Sequence, residues 1–189
     1  GLDAGIYCLN PEAKPYVGFV WPGRTWMPDF SLPEGRAWWA GHAKAFRESG
    51  FDGAWIDMND PAVGAAELDD MRFQHGRWPH WTYHNLYATG MAEATRDGFL
   101  AAKPDERPFV VSRSAAAGSS RFTAVWTGDN YSNWHHLRHS IHGSLNLALS
   151  GIPFNGPDVP GFGGHADKEL AIAWYKSGFL FPFLRNHAN

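Results

Sequence analysis

The sequence predicts an α/β fold built on a parallel sheet and, within that class, part of an eight-stranded (β/α)8 barrel. Short apolar strand candidates alternate with amphipathic helical stretches, the pattern of successive βαβ units. The strands give way to polar residues at the same end, near Asp57, Arg113, Asp129 and Asp158. Four such strands are too few to close an eight-stranded barrel, so the chain reads as half of one.

The elements follow in order. Residues 1–35 are rich in turn formers and read as an inserted β segment, with strand candidates at Gly5–Leu9 and Tyr16–Trp21. Trp38, Trp39, Ala43 and Phe46 repeat at helical spacing within Glu34–Ser49, and Gly50 ends that helix. Phe51–Ile56 is an apolar strand, and the run after it is stopped by Pro61. Residues 58–80 form a polar loop, of a length usually reserved for functional or inserted segments. His84–Lys103 reads as a helix, Pro108–Ser112 as a buried strand and Phe122–Thr127 as another strand. Trp134–Ser150 is a helix closed by Gly151, Pro153–Asn155 a short strand, and Glu169–Phe179 the last helix. Residues 36–189 are thus a run of βα units within one partial barrel domain, 1–189.

Composition narrows the partners. A net charge of -3 gives no basic stripe, which argues against nucleic acid and anionic membranes. No run approaches the roughly 18 apolar residues of a membrane span. Cys8 has no second cysteine to pair with and reads as a buried structural thiol. Most of the ten tryptophans belong to the core, and the remainder suit the apolar face of a sugar ring. Gly1 stands where a start methionine would, so the chain reads as a segment of a longer protein.

Chemistry concentrates in two motifs. Trp55-Ile56-Asp57-Met58-Asn59-Asp60-Pro61 puts a carboxylate where an apolar strand becomes a loop. Trp126-Thr127-Gly128-Asp129-Asn130 does the same 72 residues later. Strand ends at the mouth of an α/β barrel are where catalytic groups sit. Two carboxylates at one mouth are what glycoside cleavage needs: one ionised to attack, one protonated to release the leaving group, about 5–5.5 Å apart in a retaining enzyme. The acid keeps its proton through burial beside apolar walls, and Trp126, three residues before Asp129, is placed to supply one. Arg113 would help keep Asp57 ionised. A bland alternative for Asp129 is capping of the following helix. His135, His139 and His142 share one face of that helix, but no further ligand type lies at metal-site spacing, so no metal site is assigned.

The ordered motifs resemble glycoside hydrolase family 31, the α-glucosidase and α-xylosidase family, over nearly the whole chain. They are Val20-Trp21-Pro22-Gly23, Pro28-Asp29-Phe30, Trp55 to Asn59, Ser112-Arg113-Ser114, Trp126 to Asn130, Ser150 to Phe154, Gly156 to Phe162, and Phe181 to His187. The resemblance implies strands four to seven of a TIM barrel, with the other strands and flanking β-domains outside this chain. It implies Asp57 as nucleophile and Asp129 as general acid/base. Arg113 and His187 would bond sugar hydroxyls, Asp158 would line the same pocket, and Trp21, Trp55, Trp126 and Phe162 would form its aromatic wall. Asp60 departs from the family, which usually has Glu there, and its shorter arm is expected to weaken a supporting contact. Pro157, Pro160 and Lys176 also depart.

The resulting expectation is an exo-acting retaining α-glucosidase that needs no cofactor and takes an α-linked oligosaccharide or α-glucoside. An α-xylosidase, an α-transglucosylase and a non-catalytic glycan binder are the competing readings, the last weakened by the presence of both carboxylates.

Overall fold

The computed structural model describes residues 5–189, so the first four residues of the predicted β segment lie outside the described residues. β1 (Val17–Val20) and β2 (Gly23–Trp26) form an antiparallel hairpin, with Val20 opposite Gly23. The sequence suggested a single strand through Trp21. Pro22 has no N–H to continue a ladder, and Gly23, at φ +100°, accepts the reversal. The stretch Gly5–Leu9 makes isolated bridges only, Tyr7 to Pro28 and Leu9 to Pro15 and Arg72, because two of these partners are prolines that cannot extend a ladder.

α1 (Pro33–Glu48) starts on a proline at its first position, where the missing N–H costs nothing. It leads into β3 (Gly53–Ile56). The long polar loop then folds onto the hairpin: Phe19 N–H donates to the Val63 carbonyl at 3.0 Å, and Met71 and Phe73 are fully buried. α2 (His80–Tyr83) is a single turn that precedes α3 (Tyr87–Ala102). β4 (Phe109–Ser112), β5 (Ala124–Trp126), α4 (Trp134–Leu149), β6 (Asn155–Gly156), β7 (Asp158–Val159), α5 (Lys168–Gly178) and β8 (Arg185–Asn186) complete the chain.

β3, β4, β5 and β6 form one parallel sheet in that order, as expected for βα units. β7 continues from β6 through Pro157 and pairs in parallel with β8. The segment 155–159 thus joins β5 through Thr127 N–H to Gly156 O (3.2 Å) and β8 through His187 N–H to Val159 O (3.0 Å). The chain therefore has a fifth parallel strand position beyond the four expected. It is only two residues long and polar, so neither hydrophobic periodicity nor an apolar run announced it.

Side chains alternate across the sheet. Ile56 and Val110 face a core with Phe30, Phe73, Tyr87 and Met91 under the helices. Val111, Ala124 and Trp126 face the other side, with Phe183 against them. A separate cluster of Leu137, Val159, Leu170 and Trp174 holds α4 and α5 to the sheet. Cys8 is buried, its thiol reaching the Pro28 carbonyl, and burial holds its pKa well above the ordinary thiol value. No helix among the described residues is long and apolar enough to cross a membrane.

α1 and α3 approach closely because Gly98 faces Ala40 and Ala43. A Cβ on Gly98 would stand 2.7 Å from Ala43 Cβ and press on the Ala40 carbonyl, whereas one on Gly143 of α4 meets nothing. Helix propensity favours alanine over glycine by about 1 kcal/mol, and overpacking costs about 1–3 kcal/mol. Gly143→Ala is therefore expected to raise the urea midpoint and Gly98→Ala to lower it. Equal shifts would show that the helix contact is not limiting.

Candidate active site

The two-residue period that buries Val111 also brings Trp55 with Asp57, and Val111 with Arg113, to the same face of the sheet. At the ends of the strands these residues open into a cavity of about 530 Å3. Of the predicted site residues, Trp21, Trp55, Asp57, Arg113, Asp129, Phe162 and His187 line it.

Asp57 follows β3 directly and accepts the Met58 N–H at 2.8 Å, with Met58 in the left-handed region at φ +58°. Arg113 follows β4, and its own N–H donates to the Ile56 carbonyl at 3.2 Å. Its guanidinium divides between two carboxylates. Nη1 lies 3.0 Å from Asp57 Oδ1. Nε and Nη2 hold the two oxygens of Asp60 at 3.2 and 2.6 Å, the fork geometry that makes such pairs strong. Asp60 is thus long enough to reach Arg113 with both oxygens. Burial opposes the Arg113 charge, but the Asp60 hydrogen bond and the charges of Asp60, Asp57 and Asp129 outweigh it and raise the pKa.

The sequence points to Asn59 only as part of a motif. It is buried, donates to Ser112 Oγ at 2.8 Å and accepts the Ser114 N–H at 3.2 Å. This ties the loop carrying Asp57 to the end of β4. Sequence gives one usable signal for it: a polar side chain between buried neighbours needs a backbone partner.

Asp129 lies at the tip of the loop after β5, beyond Gly128 at φ +80°. It caps no helix; Asn133 caps α4 by accepting the His136 N–H at 2.7 Å. The expected burial beside Trp126 is absent, for Asp129 is exposed while Trp126 is 1% exposed. Gly128 turns the chain away from the sheet, so Trp126 instead lies against Trp55, ring centres 5.1 Å apart. Trp126 therefore supports the wall from behind and does not line the cavity.

Asp158 does not line the cavity either. It is fully buried, with Arg185 Nε and Nη2 at 2.9 and 2.6 Å from Oδ1. Burial raises its pKa, opposed by Arg185 and then by the charge of His187. The strand that carries Asp158 runs beside β8, which places it under the site facing Arg185 rather than substrate space. Arg185 was not legible as a site residue: its guanidinium lies 4.9 Å from the Trp55 ring centre and 5.0 Å from that of Trp126, joining the ion pair to the aromatic wall. His187 stacks on Phe162 at 5.4 Å and meets Trp55 edge-on at 5.3 Å. On α4, the His135 and His139 rings are 4.1 Å apart, and no group of three or more His, Cys, Asp or Glu among the described residues is arranged to hold a metal ion.

Two carboxylates, one guanidinium and two indoles thus share the C-terminal rim of a parallel sheet, the end at which barrel enzymes gather their catalytic groups. Residues 1–189 match the model of the glycosyl hydrolases family 31 TIM-barrel domain, and the chain belongs to that family. It is 43% identical to neutral alpha-glucosidase AB of Sus scrofa, covering 99% of this chain and 21% of that protein. Alpha-glucosidase 2 of Bacillus thermoamyloliquefaciens is 38% identical, with 99% of this chain and 24% of that one covered. The solved glucosidase II alpha subunit superposes with a TM-score of 0.89 at 38% identity, over 97% of this chain and 21% of that one. The family 31 alpha-glucosidase of Bacteroides thetaiotaomicron gives 0.85 at 38% identity, over 99% of this chain and 30% of that one. The chain thus spans about a fifth to a quarter of the length of these curated relatives.

Removing one partner of a buried ion pair costs roughly 3–5 kcal/mol, because the other charge is left uncompensated. Asp158→Ala is expected to lose stability on that scale in urea unfolding. The double variant Asp158→Ala/Arg185→Met is expected to lose less, and a larger loss in the double would contradict the pairing.

Proposed function

We propose that this chain is the catalytic centre of an exo-acting retaining α-glycosidase, an α-glucosidase in the first instance. The observation that carries the reading is that Asp57 and Asp129 line one cavity, with Arg113 close enough for both charges to act on it. The α-glucosidase names of the relatives, and a glucosidase II structure described as alpha3-Glc2-bound, support an α-linked glucoside as substrate.

In this mechanism the Asp57 carboxylate attacks the anomeric carbon and forms a β-glycosyl ester. Asp129 gives its proton to the departing oxygen as the glycosidic bond breaks. Asp129 then takes a proton from water, whose oxygen attacks the anomeric carbon and releases Asp57. Two inversions return the α configuration. Neither displacement calls for a metal or an organic cofactor. Arg113 holds Asp57 through a 3.0 Å ion pair and stands ready for substrate hydroxyls; Trp21, Trp55 and Phe162 offer faces to the sugar's C–H side, and His187 a hydroxyl contact. On this reading β3 to β6 are strands four to seven of the barrel and β8 takes the next position. The remaining strands and flanking domains belong to the parent protein.

5-Fluoro-α-glucosyl fluoride should label the parent protein on Asp57, as read by peptide mass spectrometry. Asp57→Ala should abolish turnover, and more than a tenth of the wild-type rate would overturn the assignment. Asp129→Asn should harm substrates with poor leaving groups most, whereas an equal loss on glucosyl fluorides would argue against its acid role.

A further inference from the structure

Asn130 adjoins the proposed acid, is 7% exposed, and uses all of its hydrogen-bonding groups. Its backbone N–H donates to Gly128 O at 3.0 Å, and its carbonyl accepts the Gly163 N–H at 2.9 Å. Its side-chain Oδ1 accepts the Phe162 N–H at 2.9 Å, and Nδ2 donates to the Asp158 carbonyl at 2.9 Å. Two residues on, Ser132 extends the same seam: its N–H donates to Gly163 O at 2.8 Å and its hydroxyl to Pro160 O at 3.0 Å. The backbones are so close here that a Cβ on Gly161 would stand 2.7 Å from Ser132 Cα. The loop after β5 and the loop after β7 are thereby held as one body.

That body carries two residues of the cavity lining, Asp129 and Phe162, the latter stacked on His187. Among the described residues no hydrogen bond holds the Asp129 carboxylate, and Gly128 before it has the backbone freedom of a glycine at φ +80°. The placement of Asp129 thus depends on what fixes the residue after it. We infer that Asn130 is a positioning residue that fixes Asp129 relative to Phe162 in the lining of the cavity, by bonding the Phe162 amide and the Asp158 carbonyl at once. The inference rests on Asp129 acting as the acid/base.

A catalytic group misplaced by about 1 Å can cost as much as 100-fold in rate. The loss should fall on the step that needs proton donation. In the full-length protein, Asn130→Ala removes both side-chain bonds, and Asn130→Asp keeps an acceptor for Phe162 while losing the donor to Asp158. Each is assayed with an alkyl α-glucoside, a poor leaving group, and with α-glucosyl fluoride, which leaves without an acid.

Asn130→Ala is expected to reduce kcat/KM for the alkyl glucoside about 10- to 100-fold and for the fluoride less than about threefold, with Asn130→Asp in between. Asp57 should still be labelled by 5-fluoro-α-glucosyl fluoride in both variants, which shows a folded pocket. Equal losses on the two substrates, or no loss on either, would overturn the positioning role. Wild-type labelling of Asp57 tests the glycosidase reading by itself, so a failure there is separate from a failure of Asn130.

Discussion

In-register parallel pairing sets Ile56 opposite Ser112, Ser112 opposite Val125, and Trp126 opposite Gly156. Each strand therefore ends at nearly the same height, and the residues just past those ends share one rim. Asp57 and Arg113 sit one residue beyond paired positions, so their contact needs no special loop. A slip of one residue would send Asp57 and Trp55 to the helix side, where Ile56 and Val110 belong. The apolar residues under the helices thus hold the register, and the register holds the chemistry.

Beneath the rim, the hardest electrostatic problem is the Asp158 carboxylate. Taking it out of water costs several kcal/mol, and Arg185 offsets that cost only through close contact on Oδ1. The guanidinium is held in turn between Trp55, Trp126 and Phe183. The last strand, two residues of β-pairing, is thereby tied to the sheet more by charge and ring faces than by its ladder. His187 is positioned as a by-product, one residue past that strand.

Legibility followed the physics of each element. The helices and the apolar strands were readable because apolar residues recur with their period, as Trp38, Trp39, Ala43 and Phe46 do along one face of α1, although only Ala43 of these is buried. The two carboxylates stood out because a strand's apolar run stopped at each. β8 was not readable, since Arg185 and Asn186 owe their pairing to partners distant in sequence. The hairpin was half-read because Gly23–Trp26 has no buried residue and thus no apolar face to announce it. Asp158 was assigned to the pocket lining through the family resemblance, and its partner cation, 27 residues away, was not legible. Trp126 was expected to shield Asp129 on sequence proximity, and Gly128 breaks that proximity in space. Seven of the cavity's lining residues, by contrast, came from residue types and motif order.

The two carboxylates differ sharply in their access to water. Asp57 is 29% exposed and pinned by Arg113, whereas Asp129 stands at an open lip. In the double displacement proposed above, the departing alcohol would leave past Asp129 and the incoming water would arrive by the same opening, while the sugar would stay esterified to Asp57. Whatever occupies that opening competes for the ester. On that proposal, the ratio of free sugar to newly built glycoside would be governed by acceptor traffic at the lip rather than by the grip on the sugar below.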